Sequence, residues 1–154
     1  MTGQLADPLS RFAHEKPGQL ALVTGSGEAF SALELDRAAE YFASELVRLG
    51  ASAGTVVALE GTPGPTWLAA LAGCWRLGAI AAPLNHRLPA KENELAAQTM
   101  GCDMRWTPSD ELFPDTIAAS PVNIPVEWSP DRPLIRVCTS GSTGAPRCVE
   151  LLAS

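Results

Sequence analysis

The sequence is poor in basic residues and in histidine. Lysine and arginine number 11 against 17 acidic residues, which gives a formal net charge of -6. Such a chain has no broad positive field for the phosphates of a nucleic acid, so we expect no nucleic-acid partner. An anionic ligand would have to be held by local backbone N–H groups and one or two cations.

Paired cysteine motifs are also lacking. The four cysteines are widely spaced, no two form a CxxC pair, and only two histidines could complete a metal site. This spacing favours reduced, mostly buried thiols over a zinc or redox site and predicts no metal ligands. The cysteines are Cys74, Cys102, Cys138 and Cys148.

Targeting and membrane signals are absent from the printed sequence as well. The N-terminus has no basic start followed by an apolar run, as a signal peptide would. The longest apolar stretch, residues 67–84, is broken by Arg76, several glycines and Pro83, which argues against a membrane span. We therefore expect a cytoplasmic protein without membrane contact.

What is present is the composition of a folded protein. Hydrophobic residues make up 46% of the 154 residues and charged residues 18%, enough for a buried core and too apolar for a disordered segment. The length suits one domain.

The first fifty residues predict a short helix, a hairpin and a long helix. The short helix ends before Lys16, and a glycine-rich turn joins two strands at Leu20–Val23 and Ala29–Ser31. Ser31 and Glu34 have the spacing of a capping box, and apolar residues recur every three or four positions from there to Gly50. This segment therefore predicts an amphipathic helix that packs one face against a core.

The central segment alternates between strands and helices. Strands are expected at 56–59, 79–84 and 104–106, with helices at 66–77 and 89–100. This βαβαβ order predicts an α/β fold with a parallel sheet and helices on both faces, in three layers. Residues 107–133 read as an irregular connector with at most one edge strand.

The C-terminal segment predicts a β-hairpin. Strands at 134–138 and 148–152 bracket the loop TSGSTGAPR, residues 139–147. We accordingly divide the chain into an N-terminal α/β subdomain, residues 1–133, and the start of a next subdomain, residues 134–154.

The loop between these strands has the parts of a phosphate cradle. Glycines let backbone N–H groups approach a ligand, hydroxyls add donors, and an arginine adds a fixed charge. The spacing is not that of a Walker A loop, and a Ser/Gly linker or plain turn is the alternative. Because apolar strands bracket the loop, we favour a rigid ligand clamp. Its candidate binding residues are Thr139, Ser140, Gly141, Ser142, Thr143, Gly144 and Arg147.

These nine residues resemble the phosphate loop T-S-G-[ST]-T-G-x-P-K-G of the adenylate-forming superfamily, which includes acyl-CoA synthetases, luciferases and peptide synthetase adenylation domains. FSALEL at 30–35 and WRLGAIAAPLN at 75–85 are similar to two further family segments. The resemblance covers roughly residues 5–152. Within the superfamily, the chain looks most similar to the o-succinylbenzoate-CoA ligases of menaquinone synthesis, with a general acid-CoA ligase as the alternative.

The resemblance implies a two-step reaction with ATP, Mg²⁺ and CoA. A small carboxylic acid attacks the α-phosphate of ATP to give an acyl-adenylate and pyrophosphate, and CoA then displaces AMP. The loop would hold the β- and γ-phosphates. Two positions depart from the family: Arg147 replaces a lysine and Cys148 replaces a glycine. We interpret Cys148 as a partly packed strand thiol and His86 as a solvated or cap-forming residue of the loop after Asn85.

Later segments of the family pattern are missing from these 154 residues. They include the adenine-binding segment, the magnesium-binding glutamate, the ribose-binding aspartate and the catalytic lysine. We therefore expect a fragment that holds no catalytic residue and is inactive by itself. Alternatives are a non-catalytic half-domain that serves protein interaction and an independent phosphate-binding domain. We also expect an exposed sheet edge that could support homo-oligomers.

Overall fold

The computed structural model describes residues 7–109, 129–139 and 146–153. Its elements, in chain order, are α1 (Pro8–Glu15), β1 (Leu20–Val23), β2 (Ala29–Ser31), α2 (Ala32–Arg48), β3 (Val56–Leu59), α3 (Pro65–Leu77), β4 (Ile80–Pro83), α4 (Ala90–Thr99), β5 (Met104–Trp106), β6 (Pro133–Thr139) and β7 (Arg147–Leu152). Each expected helix and strand is present. For the elements within residues 56–106 and 134–152, the observed ends differ from the expected ends by one residue at most. Most of the expected connector lies outside the described residues.

The α2 helix begins with the expected capping box. The Ser31 hydroxyl accepts from the Glu34 N–H, and the Ser31 N–H donates to the Glu34 carboxylate over 2.7 Å. The strands β1 and β2 form a separate antiparallel pair that leads into this helix. The local signals in the first fifty residues therefore determine the local structure.

The main sheet has five strands in the order β5-β3-β4-β6-β7. β3 pairs in parallel with β4 and β5, β4 pairs in parallel with β6, and only β7 runs antiparallel. The chain moves outward from β3 to β4 through α3 and then back past β3 to β5 through α4. Because such crossovers are right-handed, the two helices cover opposite faces of the sheet.

Two apolar clusters confirm the three-layer arrangement. One lies between the sheet and α2 and α3, and includes Phe42, Val57, Cys74 and Trp106. The other lies between the opposite face and α4, and includes Val56, Ile80 and Met100 among its members. Alternate residues of β3 thus enter different clusters, as the period of a strand buried on both faces requires.

The α2 and α3 helices pack closely at Gly73. A Cβ added there would lie 3.0 Å from the carbonyl oxygen of Ala39, the amide nitrogen of Ala43 and the Cβ of Phe42. Only glycine leaves room for that approach, which fixes α3 against α2 and hence against the sheet.

β6 extends the same sheet as β3 and β4, through the pair Ala81 and Ile135. The division of the chain into residues 1–133 and 134–154 stays a prediction. β7 is exposed along its length, with the side chains of Val149, Leu151 and Leu152 partly open to solvent. In the described ranges no helix is long and apolar enough to cross a membrane.

Candidate functional site

The two ends of the candidate loop lie opposite each other at the end of the β6–β7 hairpin. Thr139 and Arg147 are cross-strand partners, and the Thr139 hydroxyl donates to the Arg147 carbonyl oxygen over 3.4 Å. Both residues are exposed. The other five candidates, Ser140, Gly141, Ser142, Thr143 and Gly144, lie outside the described residues.

The strand that precedes the loop is fixed from both sides of the sheet. From β6, Arg136 donates to the Met100 carbonyl over 2.9 Å and pairs with Glu150 over 2.7 Å. Trp75 of α3 donates from its indole nitrogen to the Leu134 carbonyl over 3.2 Å. The β6–β7 hairpin is therefore anchored to α3 and to the end of α4, which gives the loop a fixed base.

The loop leaves the sheet at the carboxyl ends of the parallel strands, where ligands bind in open α/β folds. β4 and β6 are parallel neighbours, so Thr139 at the end of β6 leaves the same edge as the segment that follows β4. Ligands of such sheets bind outside the carboxyl ends of the strands. The position of the loop in the fold is thus suited to ligand binding.

A crevice of about 260 Å³ lies at this edge. Its lining includes Glu60, which follows β3, His86, which follows β4, and Arg105 of β5. His86 is exposed, as expected for a solvated loop residue. Glu60 and Arg105 were not predicted from the sequence, although a charged residue directly after a buried strand is a signal that would have found Glu60.

Charges in this crevice are largely neutralised by one another. Arg105 donates from Nε to Glu60 over 2.7 Å and from Nη1 to Glu94 over 2.5 Å. Its hydrogen bonds and charge contact with Glu60 raise the pKa of Arg105. Arg147 differs from Arg105, because none of the ion pairs among the described residues includes Arg147.

The four cysteines are free thiols in different environments. Cys74 is buried, and this desolvation raises its pKa to about 12. Cys102 and Cys138 are half-buried, so the expectation that most of the thiols are buried is wrong. The interpretation of Cys148 as a partly packed thiol is wrong: it is exposed, because β7 is an edge strand with no neighbour in the described sheet. In the part of the chain that the structure describes, no group of acidic, cysteine or histidine side chains is arranged to hold a metal ion.

Curated relatives are large enzymes or regulators of which this chain matches a small part. It is 29% identical over 148 residues to the anguibactin system regulator of Vibrio anguillarum, covering 88% of this chain and 14% of that protein. It is 30% identical over 153 residues to the hybrid PKS-NRPS synthetase buaA of Petromyces alliaceus, covering 88% of this chain and 4% of that protein. The chain thus spans a seventh or less of the length of these relatives.

Solved structures share the fold over nearly the whole chain. The N-terminal subdomain of Klebsiella oxytoca NpsA, in complex with 3-hydroxyanthranilyl-AMSN, has a TM-score of 0.85 at 20% identity, covering 97% of this chain and 40% of that one. The o-succinylbenzoate CoA synthetase MenE of Bacillus subtilis, in complex with AMP, has a TM-score of 0.82 at 23% identity. The match covers 96% of this chain and 42% of that one. The inhibitor-bound N-terminal domain of FACL13 from Mycobacterium tuberculosis has a TM-score of 0.79 at 25% identity. The match covers 94% of this chain and 43% of that one.

The family assignment rests on a segment that does not include the candidate loop. Residues 9–119 match the family of AMP-binding enzymes, so the match stops before Thr139. The sheet order, the helices on both faces and the fold of the solved structures agree with that match. The chain therefore belongs to the AMP-binding enzyme family.

Proposed function

We propose that this chain is the N-terminal part of an ATP-dependent enzyme that activates a small carboxylic acid as an acyl-adenylate. The observation that carries the proposal is the anchored hairpin, which presents Thr139 and Arg147 at the carboxyl edge of the sheet. A carboxylate oxygen would attack the α-phosphorus of ATP, and the bond to the pyrophosphate oxygen would break. Mg²⁺ would offset charge on the phosphates.

In this reaction, residues 139–147 hold the β- and γ-phosphates. The Arg147 guanidinium supplies a permanent positive charge with a planar set of donors, which suits phosphate oxygens. The Thr139 hydroxyl, the other hydroxyls of Ser140, Ser142 and Thr143, and N–H groups at Gly141 and Gly144 would supply neutral donors. Such donors stabilise the charge that develops on departing pyrophosphate.

The second step is the transfer of the acyl group to a thiol. We propose CoA as the acceptor and, as the narrower assignment, o-succinylbenzoate as the acid, which would connect the chain with menaquinone synthesis. The support is the similarity of the fold to MenE and of the loop to acid-CoA ligases.

A different acceptor is favoured by the sequence relatives. Two synthetases and the anguibactin system regulator match 82–88% of this chain. The second candidate function is therefore the adenylation part of a peptide synthetase, in which the acyl group passes to a carrier-protein thiol. Product analysis with CoA and with a phosphopantetheinylated carrier protein distinguishes the two.

A non-catalytic role is the alternative that the departures at Arg147 and Cys148 favour. In that case the chain would serve as a protein-interaction half-domain through the exposed β7 edge. It would bind neither ATP nor pyrophosphate, whereas the catalytic proposal expects weak binding of both and no ligase activity from these residues alone.

Acid-dependent exchange of pyrophosphate into ATP tests the proposal. The full-length protein of which we propose this chain to be the N-terminal part is expected to show exchange with one class of carboxylic acid. Exchange with o-succinylbenzoate supports the narrower assignment, and exchange with other carboxylic acids but not with o-succinylbenzoate overturns it. No exchange with any acid contradicts the proposed function.

A further inference from the structure

Two of the four thiols face each other across the hairpin that carries the loop. Cys138 of β6 and Cys148 of β7 are direct cross-strand partners in an antiparallel pair. Directly opposed residues in such a pair have Cα atoms about 4.5 to 5.5 Å apart, whichever way they are hydrogen-bonded. Disulfides span Cα separations of about 4.4 to 6.8 Å, so the strand pairing already brings the two residues within range.

We propose that Cys138 and Cys148 are a redox-responsive pair that forms a reversible cross-strand disulfide. Both are free thiols in the structure. Their separation of ten positions in sequence conceals the pairing, since no short motif joins them. The pairing only becomes visible in the register of β6 and β7.

Solvent access gives the two thiols different parts in the reaction. Cys148 is exposed and Cys138 is half-buried, so a soluble oxidant reaches Cys148 first. With glutathione disulfide as oxidant, the Cys148 thiolate attacks one sulfur and releases one glutathione thiolate. The Cys138 thiolate then attacks the Cys148 sulfur and releases the second glutathione. The protein loses two protons and two electrons, and glutathione disulfide is reduced to two glutathione molecules.

The two other cysteines are poor competitors for this reaction. Cys102 lies close enough to Cys148 to interact with it electrostatically, and Cys102 and Cys138 both pack against the apolar cluster between the sheet and α4. Burial raises the pKa of Cys102 to about 11, which keeps it protonated, and the thiolate is the reactive form. Cys74 is buried in the cluster on the opposite face of the sheet.

The bridge would have a local structural effect. Cys138 precedes Thr139 and Cys148 follows Arg147, so a disulfide would fix the spacing of the strands directly beneath the two ends of the candidate loop. The pairing itself does not depend on whether that loop binds phosphate, and the test below uses no nucleotide.

The test is redox titration of the purified chain in buffers with defined ratios of reduced to oxidised glutathione. After alkylation of free thiols, mass spectrometry is expected to show the loss of two of the four thiols and one internal bridge between Cys138 and Cys148. The bridge should disappear again when the ratio is reversed. A chain that yields only glutathione adducts, or a bridge from Cys102 to Cys148, overturns the proposal.

Three serine variants sharpen the result. Cys102→Ser is expected to form the bridge as the wild type does. Cys138→Ser and Cys148→Ser are expected to form none, and Cys148→Ser should also lose most of the glutathione adduct because the exposed thiol is gone. Circular dichroism melting identifies any variant that fails to fold. Bridge formation by a folded Cys138→Ser or Cys148→Ser chain would contradict the assignment.

Discussion

Arg76 of α3 donates from Nε to the Asp7 carboxylate over 3.1 Å, and so connects α3 to the residue that caps α1. The same guanidinium pairs with Asp36 of α2 over 2.5 Å. Burial alone would lower the pKa of Arg76, but the two carboxylates raise it above its ordinary value. One cation therefore joins three helices that are far apart in sequence.

Removal of that cation is expected to be costly. Arg76→Ala removes the cation that is hydrogen-bonded to Asp7, which is 5% exposed, and breaking a buried pair costs about 3 kcal/mol or more. Chemical denaturation should show this loss in the free energy of unfolding. Arg48→Ala is the matched control, because Arg48 is 74% exposed beside Glu45 and its pair contributes at most about 0.5 kcal/mol. Equal losses in the two variants would contradict the assignment.

The contact between α2 and α3 at Gly73 is expected to tolerate no added methyl group. Gly73→Ala places a Cβ at 3.0 Å from backbone atoms of α2, and such overpacking costs about 1 to 3 kcal/mol. Gly25→Ala, where nothing lies within 4 Å of the added Cβ, is the control. Thermal melting should separate the two, and a Gly73→Ala chain as stable as Gly25→Ala would show that the helices can move apart.

The capping box gives the chain a specific acid sensitivity. Hydrogen bonds from the Ser31 side chain and backbone lower the pKa of Glu34 in the folded chain. The folded state therefore favours the ionised form, and this stabilisation is present above the unfolded pKa, about 4.3, and is lost as the pH falls through the lower folded value. Chemical denaturation at a series of pH values should show that Glu34→Gln weakens the pH dependence of the free energy of unfolding in that acidic range. The pH dependence near pH 7 should not change. If the pH dependence in the acidic range is the same in Glu34→Gln as in the wild type, the capping box does not contribute to stability as expected.

Much of the fold could be predicted from the sequence because its signals are local. Ser31 and Glu34 predict the start of α2, and the apolar runs that follow predict β3, α3 and β4. The place of β6 beside β4 could not be predicted, because the connector between β5 and β6 has no periodicity to follow. The partners of Arg76 were also out of reach, since they lie 69 and 40 positions away.

The candidate site was predictable in composition but not in arrangement. The hydroxyls, glycines and arginine of residues 139–147 indicate phosphate binding by residue type alone. The exposure of Cys148 and its position opposite Cys138 depend on β7 being an edge strand, which is a property of the whole sheet. The charged crevice around Glu60 and Arg105 likewise exists only once β3 and β5 are paired.

The exposed edge of the sheet is expected to cause self-association. β7 presents Leu151 at 48% exposure along an edge with no neighbouring strand in the described sheet, a template for pairing with a second copy. Leu151→Lys should lower the weight-average sedimentation coefficient at high concentration. Leu95→Lys, a change of equal charge at a 53% exposed site on α4, should not. A wild-type chain that stays monomeric at all concentrations would contradict the expectation.

The most direct test of the central claim is calorimetric titration of this chain with pyrophosphate and with Mg-ATP. We predict weak, saturable binding that Arg147→Ala reduces about tenfold or more, corresponding to the loss of a charge-assisted contact of about 1.5 to 3 kcal/mol. Arg48→Ala, which removes the same charge from α2, should bind as the wild type does. Absence of binding in the wild type, or equal binding by Arg147→Ala and Arg48→Ala, would contradict the account of residues 139–147 as a phosphate site.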